Sequence, residues 1–112
     1  MKARQKDIWY AQLNPVKGSE QGGRRPIVII SGDTMNGTLP IVIACPVSSK
    51  IKEYPGCVTV RARKDNGLKQ DSEVATFQVR VLSQTRLTKK IGAVGDTDFR
   101  AIMLALNEVL VL

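Results

Sequence analysis

The chain has 112 residues, 43% of them hydrophobic, which suits one domain (residues 1–112) with a modest core and excludes a disordered chain. No apolar run approaches the ~20 residues of a membrane-spanning helix, and the opening Met-Lys-Ala-Arg-Gln-Lys-Asp lacks the apolar centre of a signal peptide, so a soluble cytoplasmic protein with no membrane contact is expected. Lysine and arginine number 17 against 10 acidic residues, a net charge of +7, which points to a polyanion or an acidic protein as partner.

Histidine is absent, which removes the Ser-His-Asp triad and the paired-histidine ribonucleases. The two cysteines, Cys45 and Cys57, have no C-x-x-C spacing, and the acidic residues are scattered apart from Asp71–Glu73 and Asp96–Asp98. No zinc site, metal cage, cofactor or disulfide is expected, and Cys45, inside an apolar run, is expected to be buried.

In chain order, Asp7–Leu13 alternates as a strand and Asn14-Pro15 breaks it. A glycine-rich polar loop leads through Arg25-Pro26 into the β-branched run Ile27–Ser31, a second strand. Gly32–Thr38 reads as a polar connection. Ile41–Val47 is a third strand, and Pro46 marks it as an edge or a strand end. A loop over Ile51–Gly56 follows, then an alternating strand at Cys57–Arg63 and an Asn-Gly turn at Asn66-Gly67. Ser72–Leu82 reads as one long strand, Gln84–Leu87 as a helical turn and Lys89–Gly95 as a last strand. Phe99, Ile102, Met103, Leu106, Val109 and Leu110 recur at helical spacing, with Asp96, Thr97 or Asp98 as N-cap. The fold class is mainly β (α+β): a small barrel or strongly twisted antiparallel sheet with a C-terminal amphipathic helix packed on it.

Chemistry concentrates where the loop Gly18–Arg25 meets the strand. Glycines give the loop freedom, and Pro26 fixes φ and holds Arg25 extended, leaving a planar, permanently charged fork suited to a phosphate. The G-x-x-x-x-G spacing of Gly18–Gly23 is not a nucleotide-binding loop. Arg24-Arg25 stands where Lys-Ser/Thr belongs, and a strand follows where a helix should start. Ser48, Ser49, Lys50, Lys52 and Arg80 complete a basic, loop-borne set. Ser48 and Ser49 read equally as a turn or cap after Val47, Lys52 as a solvated charge and Arg80 as a salt-bridge partner. Trp9 and Phe99 read as core or interface residues, whereas Tyr10 and Tyr54 are open to stacking on a base.

Several segments together resemble the MazF/PemK family of toxin endoribonucleases. They are Asp7-Ile8-Trp9, Leu13-Asn14-Pro15, Gly18–Pro26, Pro46-Val47-Ser48-Ser49-Lys50, Gly67-Leu68 with Asp71-Ser72, and Gln78-Val79-Arg80. The resemblance implies an SH3-like barrel, a homodimer, and metal-independent cleavage of single-stranded RNA at short motifs. It also implies inhibition by an acidic MazE-like antitoxin segment. The family's catalytic arginine falls on Arg25 and its catalytic hydroxyl on Ser48, where threonine is usual. Ser19, Glu20 and Gln21 match the loop that flanks bound RNA, and Gln78 and the loop from Lys50 to Pro55 match other RNA-lining positions; Arg24, Ser49 and Arg80 are RNA-binding candidates from the basic set. Phe77 stands where relatives carry a polar or acidic residue, so no base preference carries over.

RNA brings its own nucleophile, the 2′-hydroxyl, so an enzyme need only align it and stabilise the phosphorane-like transition state. Arg25 suits the second task and Ser48 the first, giving a 2′,3′-cyclic phosphate and a 5′-hydroxyl. A permanently protonated arginine is a poor base, and no acceptor of the 2′-proton is assigned. The rival readings are a non-catalytic RNA-binding barrel, a gyrase poison of the CcdB type and a purely structural interaction barrel. Val111-Leu112 lacks the Trp-Gly-Ile ending of the gyrase poisons.

Overall fold

Three consecutive strands are apolar on both faces, and this decides the architecture. The computed structural model describes residues 3–14 and 23–111. Strands β1 (Asp7–Gln12), β2 (Arg24–Ile29) and β3 (Ile41–Ser48) lie side by side and antiparallel, with Ile8 opposite Val28 and Val28 opposite Cys45. Successive residues point to opposite faces. One face sends Trp9, Ala11, Ile27, Ile29, Val42 and Ala44 into one core, and the other sends Ile8, Val28, Cys45 and Val47 into a second. The unbroken run Ile27–Ile30 is therefore buried on both sides.

Around this centre the sheet runs β4 (Cys57–Val60), β5 (Ser72–Ala75), β3, β2, β1, β7 (Leu87–Ala93), with β6 (Arg80–Ser83) also paired to β3. The path is open, with β4 and β7 at its ends. The closing helix, α2 (Asp96–Val111), lays Ile102 and Leu106 into the second core, with Phe99 and Val109 packed beside them. Met103, Leu104, Leu110 and Val111 stay exposed.

Several elements differ from the sequence expectation, and particular hydrogen bonds account for the differences. The long strand at Ser72–Leu82 is two strands with a 3-10 turn, Thr76–Gln78, between them. Both the Thr76 hydroxyl (2.6 Å) and the Thr76 N–H (2.8 Å) donate to the Gly56 carbonyl, pulling the chain out of the ladder. β5 then pairs with Val47 and Ser48, and β6 with Ile41–Ala44. Pro46 thus sits inside the central strand β3, between the stretches served by β5 and β6, where a missing N–H costs least.

β4 ends at Val60, not Arg63, because buried Asn66 captures the next turn: its amide donates to the Arg61 carbonyl (2.8 Å) and its oxygen accepts from Arg63 N and Leu68 N (both 3.0 Å). Gly32–Thr38 is no plain connection but contains a short helix, α1 (Asp33–Thr38). Buried Asn36 donates to the Ser31 carbonyl, and the Gln5 N–H donates to Asp33 Oδ1 at 2.7 Å. The N-cap position of α2 belongs to Gly95, whose carbonyl accepts from Phe99 N; Asp96 and Asp98 lie in the first turn instead. No helix among the described residues is long and apolar enough to cross a membrane.

Candidate active site

The register of β2 and β3 sets the geometry. Ile27 faces Pro46. β2 runs past this pair to Arg25 and β3 to Ser48. On the next strand Glu73 is paired with Ser48, and beyond it Thr59 with Glu73. Arg25, Ser48 and Glu73 line one recess together.

Two recesses meet at Arg25 and Ser48, which line both. The larger, about 430 Å³, is also lined by Arg24, Pro26, Ser49 and Leu68. Among the described residues its lining contains no carboxylate. The smaller, about 220 Å³, takes in Lys50, Lys52, Tyr54, Glu73, Phe77 and Gln78.

Each side chain is set by its backbone. Arg25 is half-buried and follows the positive-φ Gly23 by two residues. Ser48 Oγ accepts from Lys50 N at 3.1 Å, so the serine forms the turn that ends β3. That bond uses an oxygen lone pair and leaves the hydroxyl proton available to an anion. Arg24 is exposed, its guanidinium 4.1 Å from the centre of the Tyr10 ring.

Glu73 is the site residue that sequence reasoning missed. It is 5% exposed, and its Oε2 accepts from Lys52 N (3.0 Å) and Glu53 N (3.1 Å). Glu53 takes a positive φ of 57°, which turns both N–H groups onto one carboxylate oxygen. Glu73 thereby pins the loop that carries Lys50, Lys52 and Tyr54 against the smaller recess. Burial, then the nearby Glu73 carboxylate, pushes the Cys57 thiol pKa up. The available signal was a charged residue in a strand whose neighbours, Ser72, Val74 and Ala75, are all buried.

Of the sequence candidates, Arg24, Arg25, Ser48, Ser49, Lys50 and Gln78 line the two recesses. Pro55 lies exposed next to Tyr54 and lines neither. Arg80 sits on β6 opposite Ala44, also outside both linings. Ser19, Glu20 and Gln21 lie outside the described residues. Asp7, in the first matching segment, is structural: it accepts from Arg4 N (2.9 Å) and Trp9 Nε1 (3.1 Å) and pairs with Lys90 (3.2 Å). No group of three or more Cys, Asp or Glu among the described residues is arranged to hold a metal ion.

An arginine fork beside a hydroxyl donor, in a recess whose described lining has no carboxylate, is a phosphate-binding arrangement. The fold and this recess define a small antiparallel β protein with a polyanion site at the ends of its central strands. Comparison with known proteins gives that class a family. The family described as PemK-like, MazF-like toxin of type II toxin–antitoxin system matches residues 4–110. Endoribonuclease MazF of Staphylococcus saprophyticus is 36% identical over 106 residues, covering 93% of this chain and 88% of that protein. The crystal structure of MazF from Deinococcus radiodurans superposes with a TM-score of 0.87 at 26% identity, covering 100% of this chain and 99% of that one. A MazE–MazF crystal structure from the same organism gives 0.79 at 27% identity, covering 98% and 96%. The chain belongs to the PemK/MazF toxin family, and its antiparallel sheet with a C-terminal helix is the MazF fold.

Proposed function

We propose that the chain is a cytoplasmic endoribonuclease toxin that cuts single-stranded RNA at short motifs without metal, leaving 2′,3′-cyclic phosphate and 5′-hydroxyl ends. The observation that carries this reading is the placement of Arg25 and Ser48 at the joint of two recesses in a chain of this family. The scissile phosphate lies between the two side chains. Ser48 donates its hydroxyl proton to a non-bridging oxygen and fixes the phosphate for in-line attack by the adjacent 2′-hydroxyl. Arg25 stabilises the negative charge that grows on the phosphorane, where a preorganised donor acts most strongly. The described lining of the larger recess brings no fixed negative charge against that group.

The molecule acts as a homodimer, and an acidic MazE-like antitoxin occupies the same cationic surface. The MazE–MazF structures of the Deinococcus relative support the pairing, and the net charge of +7 supplies the attraction.

The decisive experiment maps the cut ends on a long, structure-poor RNA with and without chelator. Discrete cuts with cyclic phosphate ends, unchanged by chelator, are expected. Arg25→Ala should lose ~10²–10³ in rate, the usual cost of one transition-state donor, while keeping its melting transition. Activity that chelator removes and magnesium restores, or an undiminished Arg25→Ala variant, overturns the assignment.

A further inference from the structure

A third depression continues the larger recess away from Arg25 and Ser48, sharing Tyr10, Arg24, Gly67, Lys69 and Ile91 with it. The rest of its described lining is Lys89 and Lys90 on β7, and these residues too include no carboxylate. The sheet builds this surface directly. Tyr10 on β1 is paired with Pro26 on one side and Lys89 on the other, and Arg24 stacks on the Tyr10 ring. Lys90 is tied to Asp7, whereas Lys69 and Lys89 are exposed with no carboxylate partner among the described residues. Asp65, Asp96 and Asp98 gather instead at a separate hollow near the start of α2.

Resting on the proposed RNA substrate, we propose that Tyr10, Arg24, Lys69 and Lys89 form a second RNA subsite, which carries the strand away from the cut over β1 and β7. The occupant is a single-stranded RNA backbone with unstacked bases. The Tyr10 ring sits 4.1 Å from the Arg24 guanidinium carbon, and the outer face of a guanidinium is a platform on which any base stacks. The two lysines are point charges beside it, suited to phosphates at no fixed sequence. The subsite contributes affinity and processing of long strands, not choice of the cut.

The test uses 2′-O-methyl RNA, which lacks the nucleophile, around the cut sequence mapped for the wild type. One strand has about 6 nucleotides and the other about 16, spanning the usual range of single-strand site sizes. The wild type should bind the long strand more tightly and with a steeper salt dependence. Lys89→Gln should weaken the long strand several-fold and leave binding of the short strand and cleavage of its unmodified counterpart unchanged. Adding Lys69→Gln should bring the total loss of long-strand salt slope to about 1.4, or ~0.7 per phosphate contact.

Wild-type affinity of Lys89→Gln for the long strand overturns the subsite while leaving the nuclease reading intact. Equal weakening of both strands overturns it too, by placing Lys89 in the cleavage recess. A wild type that neither cuts nor binds the short strand overturns the nuclease reading and the subsite with it. Weakened binding of polyglutamate alone, with long RNA unaffected, assigns the surface to an acidic protein and overturns the RNA subsite.

Discussion

Ser48 and Ser49 are adjacent in sequence but not equivalent in structure. Ser48 lines both recesses together with Arg25; Ser49 lines only the larger. Ser48→Ala should therefore lose clearly more cleavage than Ser49→Ala, measured as initial rates on the same RNA, and equal rates would show that the wrong hydroxyl was chosen. Cys45 makes a different residue-level prediction. Burial pushes its thiol from the ordinary 9.0 up to about 12. Above about pH 9 the unfolded chain ionises this thiol while the folded chain keeps it protonated. Stability is thus fully present below that pH and falls by about 1.4 kcal/mol per pH unit up to about 12. Urea midpoints taken near pH 8 and near pH 10.5 should fall more for the wild type than for Cys45→Ala. Arg25 was proposed from the sequence because a glycine loop before proline marks it, and Ser48 from the family resemblance; both line the recesses. Glu73 was not legible, because its role depends on the loop from Lys50 to Tyr54 crossing β5, a contact some 20 residues away.

At the scale of elements, alternation located the strands and helical spacing located α2. It could not see the corner at Thr76, since the group that bends the chain there is the Gly56 carbonyl. It missed α1 for a similar reason: Asp33-Thr-Met-Asn-Gly-Thr has poor helix propensity, and its support comes from Gln5 and Gln84. The loop pinned by Glu73 carries the element-level prediction. Glu73→Gln keeps the volume but loses the charged acceptor, and a buried donor left unmatched costs about 1–3 kcal/mol. Amide exchange at Lys52 and Glu53 should accelerate more than at β2 or β3, with reduced cleavage. Unchanged exchange at those two amides would leave Glu73 no role in holding the loop.

Across the whole molecule, charge is sorted. Cations surround the recesses at the ends of β2 and β3, and part of the acidic complement pairs locally: Asp33 with Arg4 and Asp96 with Lys6. Such exposed pairs add little stability, so the surplus of +7 acts on partners more than on the fold. Binding of single-stranded RNA should weaken steadily with salt, at a slope near ~0.7 per phosphate neutralised, read from a titration series in potassium chloride. A flat series would contradict the charge argument.

The turn stapled by Asn66 has a consequence for how the protein tolerates change. Gly67, at φ +71°, would place a Cβ 2.0 Å from the Ile91 carbonyl oxygen, and Gly92 would place one 2.4 Å from the Asn66 carbonyl carbon. Main chain here rests on main chain, with no side chain between to give way. In a saturation library these two codons should stay blank together, and repair of one should never come from varying the other. Lys64, exposed nearby, should accept almost any letter in a screen for soluble expression, so the seam is frozen while the surface beside it tolerates change.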